Sequence, residues 1–227
     1  MPFVTVIGLH RSGSSCLAGV LHNLGVHMGD KLTGYERTGG FEAVELMVLC
    51  ESAYPFPSTE PAMPQDEIVA ELRRYVSHAR ATAARQGKHM AGGKYPHLCA
   101  MGMALREVCG DRLRVIHSER PLDDSIESLK DRSRSATGWL AADEQQVERV
   151  QRWLWGAKHE LLRQVPHLDV AFADLLAAPL REIERIVSWL ELEPSEEAVA
   201  RAVAHVRPKR VERSGGRWKG AIRQARK

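Results

Sequence analysis

Residues 3–25, FVTVIGLHRSGSSCLAGVLHNLG, read as a buried strand, a tight turn and a helix, and the rest of the chain is arranged around that unit. Phe3 to Ile7 is a short apolar run rich in β-branched residues, the composition of a strand covered on both faces of a parallel sheet. From Ser14 the period changes. Leu17, Leu21 and Leu24 share one helical face with Val20 beside them, and Gly25 stands where a C-cap glycine ends a helix. Between strand and helix lies Gly8-Leu-His-Arg-Ser-Gly13-Ser-Ser15. Its two glycines let successive N–H groups face inward, and the helix N-terminus adds open donors and the positive end of its dipole. The stretch predicts a cradle for a phosphate.

The spacing of Gly8, Gly13 and Ser15 fits the P-loop pattern G-x-x-x-x-G-K-[ST] except that Ser14 stands where lysine belongs. Without that lysine a triphosphate is poorly neutralised, and the cation sits inside the turn instead, as Arg11. A 5′-phosphate carrying one further, singly charged group such as a sulfonate suits this loop better than ATP.

The loop resembles the 5′-phosphosulfate-binding loop of sulfotransferases that use 3′-phosphoadenosine-5′-phosphosulfate (PAPS), in the bacterial branch with Arg-Ser-Gly-[ST]-[ST]. The resemblance implies that His10, Arg11, Ser12, Gly13, Ser14 and Ser15 wrap the cofactor, and that Arg11 stands where a lysine touches the bridging oxygen in other branches. Gly40-Phe41-Glu42 is similar to a Gly-Phe-Glu turn of the bacterial enzymes, which places Glu42 near the sulfonate; a helix-start carboxylate favoured by the dipole is the plainer reading. Lys94-Tyr-Pro-His97 follows a short strand expected within 88–98 and partly matches the family's strand-end lysine, which implies that Lys94 neutralises charge as the bond breaks.

A second motif lies at LRVIHS, residues 113–118, a core strand followed by Arg120 and a helix opened by Pro121 with Asp123 and Asp124 in its first turn. Arg120 and Ser128 resemble the arginine and serine that hold the 3′-phosphate in the family, with Ser125 as the other serine in reach. A doubly charged group needs a fixed guanidinium plus neutral donors. The segment RPKRVERSGGRWK, residues 207–219, echoes the family's nucleotide-closing segment, which implies roles for Arg210, Arg213, Gly215 and Trp218, with Lys209 also in reach of the 3′-phosphate.

Composition agrees with one ordinary globular domain over residues 1–227: 44% hydrophobic, 27% charged and a net charge of +3. That charge hides an asymmetry, because residues 207–227 hold nine Lys or Arg against one Glu, a basic segment on an otherwise acidic body. No run of about 18 apolar residues is present and no signal peptide precedes the first strand, so a cytoplasmic protein with no membrane partner is expected. Cys16, Cys50, Cys99 and Cys109 lack metal or redox spacing and read as reduced packing residues. Helices are expected over 65–87, 143–164 and through Ile183 to Leu190, and a strand over 168–172. Trp153 and Trp155 read as packing residues, and 130–142 as a mobile segment over the cleft.

The expectation is therefore a single-domain α/β protein, a central parallel sheet flanked by helices with a P-loop-like nucleotide site. The resemblance implies transfer of a sulfonate from PAPS to a hydroxyl or amine of a small-molecule or carbohydrate acceptor, without a metal. Arg11 and Lys94 would stabilise the leaving group, and the base is Glu42, then His97, then Glu36. A P-loop kinase or NTPase with a degenerate loop is the rival enzyme, and a non-catalytic nucleotide or nucleic-acid binder the rival of another class; no nucleic-acid partner is expected on the first reading. The acceptor and the oligomeric state are not legible.

Overall fold

The structure is a computed structural model that describes residues 1–33, 40–134 and 142–206. Glu36 and the candidate nucleotide-closing residues Lys209, Arg210, Arg213, Gly215 and Trp218 lie outside the described residues. The chain runs β1 (Phe3–Ile7), α1 (Ser14–Asn23), β2 (Leu32–Thr33), β3 (Glu42–Ala43), α2 (Val44–Ala53), α3 (Gln65–Arg85), β4 (Ala91–Gly93) and α4 (Gly102–Cys109). It continues through β5 (Leu113–Glu119), α5 (Leu122–Arg134), α6 (Glu144–Leu162), β6 (His167–Ala171), α7 (Phe172–Ala177), α8 (Pro179–Leu190) and α9 (Glu196–His205).

Four strands form the central sheet in the order β4-β1-β5-β6, every pair parallel. The side-chain period of two splits the core into two layers. Val4, Val6, Ile116 and Val170 face α1 and α8, whereas Phe3, Ile7, Leu113 and Val115 face α3, α4 and α6. Both faces of the sheet are thus covered, which is why β1 is buried along its whole length. β2 and β3 form a separate two-stranded antiparallel hairpin.

The chain leaves β1 toward one layer, into α1, and leaves β4 toward the other, into α4. Loops that part on opposite sides of neighbouring strands open a crevice at the strands' C-terminal ends, where ligands of open α/β sheets bind. Lys94 follows β4 and the glycine turn follows β1, so both reach this crevice.

Two expectations are corrected. Lys130–Arg134 is not a loop but the end of α5, where Lys130 pairs with Glu148 of α6 at 3.0 Å and Arg134 with Glu144 at 2.6 Å. Trp155 is not a core residue: it is 41% exposed and its ring meets that of His159 at a tilt of 45°, with a centroid separation of 4.1 Å. Among the described residues no helix is long and apolar enough to cross a membrane.

Candidate functional site

The glycine turn owes its shape to two residues of positive φ, Arg11 at 66° and Gly13 at 93°. That alternation turns successive N–H groups inward, and Gly13 as N-cap hands the chain to α1. Only glycine fits there, since a Cβ on Gly13 would stand 2.3 Å from the Phe172 ring at the start of α7. Neighbouring elements brace the turn from outside: Ser118 Oγ of β5 donates to the Ser12 carbonyl at 2.9 Å, and Gln151 Nε2 of α6 to the His10 carbonyl at 2.9 Å. The Ser12 N–H closes the turn on the Leu9 carbonyl at 3.2 Å, and the amides of residues 13–15, in the open first turn of α1, remain directed at the crevice. Ser12 Oγ is buried without a hydrogen-bond partner, as expected of a group that awaits an anion.

Lys94 supplies the cation that position 14 lacks. Its side chain is buried, and Nζ donates to Ser15 Oγ at 2.9 Å and to Glu42 Oε1 at 2.5 Å. Burial lowers the Lys94 pKa while Glu42 opposes the shift. Glu42, at the start of β3, also accepts from Thr33 Oγ1 at 3.1 Å across the hairpin. Structure and sequence agree on bringing Lys94, Glu42 and Ser15 together.

Arg11 points the other way. Its Nε donates to Ser128 Oγ of α5 at 3.2 Å, while Arg120 Nη1 donates to the Arg11 carbonyl at 2.5 Å. Burial lowers the Arg11 pKa first, and the Arg132 and Arg120 guanidiniums add to it. Three guanidiniums and one hydroxyl therefore gather beside the turn, like charges whose mutual repulsion an anion would relieve. Ser125 is wholly buried on α5, and Ser128, through its bond from Arg11, is the serine seen at this cluster. Arg132 was missed from the sequence although it lies four residues after Ser128 on the same helical face.

His10 and His97 turn into the protein. His10 is buried, its ring 5.6 Å from that of His97 and 5.7 Å from that of Phe56. Burial, then the neighbouring His97 and Lys94, hold His10 at a pKa of about 3, so it is neutral and packs rather than binds phosphate through a charged ring. His97 is wholly buried and faces Glu51 of α2, a residue the sequence did not single out.

A strand, a lysine-less P-loop-like turn and a second basic cluster on the following strand and helix define the sulfotransferase fold, and solved structures bear this out. The sulfotransferase domain of the Synechococcus PCC 7002 olefin synthase superposes with a TM-score of 0.57 at 19% identity, covering 92% of this chain and 81% of that one. Sulfotransferase STF1 from Mycobacterium tuberculosis H37Rv gives 0.55 at 15% identity, with 90% and 71% covered. STF9 from Mycobacterium avium gives 0.53 at 15% identity, with 88% and 66% covered. No protein-family model matches the sequence, nor does any curated protein.

Proposed function

We propose that the protein transfers a sulfonate group from PAPS to a hydroxyl or amine of a small-molecule or carbohydrate acceptor. The observation that carries this reading is the hydrogen bond from Arg120 to the Arg11 carbonyl, because it joins two anion sites into one. The turn and Lys94 suit the 5′-phosphosulfate, and Arg11, Arg120, Arg132 and Ser128 suit a 3′-phosphate on the same ribose. On this reading the acceptor oxygen bonds to sulfur as the bond from sulfur to the 5′-phosphate breaks, leaving its electron pair on the phosphate oxygen. Lys94 and the amides of residues 13–15 stabilise that charge, each such donor contributing about 3 kcal/mol.

The kinase alternative is disfavoured by the Lys94 contact with Ser15. In a P-loop NTPase the equivalent hydroxyl holds Mg²⁺, and an ammonium 2.9 Å from that oxygen competes for the cation's place. Calorimetry with 3′-phosphoadenosine-5′-phosphate (PAP), AMP and Mg-ATP tests the proposal. Preference for PAP over both others is expected; tighter binding of Mg-ATP would return the protein to the kinases, and equal binding of PAP and AMP would remove the 3′-phosphate site.

A further inference from the structure

Three groups converge on the Glu51 carboxylate of α2. The Tyr95 hydroxyl donates to Oε1, the Phe56 N–H donates to Oε2 at 3.1 Å, and His97 Nδ1 lies 3.3 Å from Oε1. The last is at ion-pair range but off the line of a straight hydrogen bond, as catalytic contacts often are before substrate binds. Burial alone would raise the Glu51 pKa; the His97 imidazole beside it and the bonds from Tyr95 and Phe56 outweigh it and hold the group at about 2. The carboxylate is thus ionised at any physiological pH.

His97 sits in a ring of aromatic neighbours: His10 and Tyr95 at 5.6 Å, Phe56 and Trp153 at 6.4 Å. Its Nε2 is buried with no hydrogen-bond partner, an arrangement that costs free energy unless a ligand completes it. Phe56 and Trp153, on the outer side of this ring of neighbours, are half-buried. Lys94, three residues earlier in the chain, ties the same segment to Ser15 in the turn.

We infer that Glu51 is a positioning residue for sulfonate transfer: facing Nδ1, it holds the His97 proton on that nitrogen and leaves the Nε2 lone pair for the acceptor's hydroxyl proton. The inference rests on the function proposed above. As the acceptor oxygen bonds to sulfur, its proton passes to Nε2 and the electron pair of the broken sulfur–oxygen bond stays on the 5′-phosphate of PAP. Glu42 is the weaker candidate for that proton, because Lys94 Nζ already occupies its Oε1 and Thr33 Oγ1 its Oε2.

Glu51→Gln separates this role from packing. The Phe56 N–H can only donate, so the glutamine oxygen turns to it and the NH2 group takes the place of Oε1, facing Tyr95 and His97. The Tyr95 hydroxyl rotates to accept, and so does the imidazole: Nδ1 becomes the acceptor and the proton moves to Nε2, the wrong tautomer for a base. The experiment is NMR of the histidine-labelled full chain saturated with PAP, read beside PAP calorimetry and the release of PAP from PAPS with phenol or water as acceptor. Expected are an Nδ1–H tautomer in the wild type, Nε2–H in Glu51→Gln, PAP affinity equal within roughly twofold, and turnover about 10²-fold lower at unchanged KM for PAPS. Glu51→Asp should restore the tautomer and part of the rate. One tautomer in both proteins, or a rate that does not fall, overturns the inference; if phenol and water are both poor acceptors, the tautomer decides. A wild-type chain that fails to bind PAP sinks the sulfonate-transfer reading itself, a different and separately visible outcome.

Discussion

Lys94 Nζ lies 2.5 Å from Glu42 Oε1 and 2.9 Å from Ser15 Oγ, a buried ammonium held between a carboxylate and the turn that cradles the anion. In Glu42→Gln the buried charge loses its partner, at a cost of about 3 kcal/mol, the low end for a broken buried pair because Glu42 is partly exposed. PAP offers the ammonium a new counter-charge, so thermal unfolding should show a smaller loss with PAP than without. Equal losses in both states would mean that Lys94 never meets the nucleotide. Lys94→Met should lower turnover by about 10²–10³-fold.

Arg120 and Arg132 reach the same spot from the end of β5 and from α5, and both should act on the 3′-phosphate, Arg120 also bracing the 5′ turn through the Arg11 carbonyl. Arg120→Ala is expected to reduce the preference for PAP over AMP by about 10–100-fold, the value of one charge-assisted contact. Arg132→Ala should cost about tenfold with AMP binding level, whereas Arg120→Ala also weakens AMP, by less than it weakens PAP, through the lost bond to the turn. Calorimetry reads each ratio directly, and a preference that survives both substitutions would detach this cluster from the nucleotide.

The glycine turn was legible because it lies where a continuous apolar, β-branched run, Phe3–Ile7, gives way to the helical steps of Leu17, Leu21 and Leu24. The β5–Arg120–α5 unit was legible for the same reason. α4 was not, since Gly102 at its start and a span of about two turns weaken its signal and its start is set by packing on Leu161 of α6. Nor was Glu51, an ordinary helix carboxylate in the sequence. Its meaning comes from Tyr95 and His97, more than 40 residues away, and no local pattern encodes that meeting. The polar run 130–134 misled because α5 stays helical through ion pairs to α6 rather than through apolar contacts.

Gly13→Ala should fail in two separable ways. A side chain at φ 93° costs about 1–3 kcal/mol whatever surrounds it, and here its Cβ also overlaps the Phe172 ring. Phe172→Leu in the Gly13→Ala background removes the overlap but not the backbone penalty. The double variant is expected to recover part of the lost stability in urea unfolding, and little of the PAP affinity. Full recovery of both would show that the left-handed backbone at Gly13 is dispensable for the cradle.

Acid should unfold the protein through its buried neutral histidines. His117 of β5 lies 2.7 Å through Nδ1 from Asp169 and 2.9 Å through Nε2 from the buried Lys158 ammonium. Burial first, then Lys158, hold its pKa at about 4, and His10 is held at about 3. Both lie below the unfolded value of about 6.5, so the unfolded chain takes up the proton first as pH falls. The stability these rings contribute is complete above pH about 6.5 and drains away toward pH 4 for His117 and 3 for His10, at about 1.4 kcal/mol per pH unit for each. Glutamine at position 117 can still donate to Asp169 and accept from Lys158 but does not titrate. His117→Gln should therefore flatten the dependence of unfolding free energy on pH between 6 and 5 by about 1.4 kcal/mol per unit. An unchanged slope would mean that His117 takes up its proton in the folded protein as readily as in the unfolded chain.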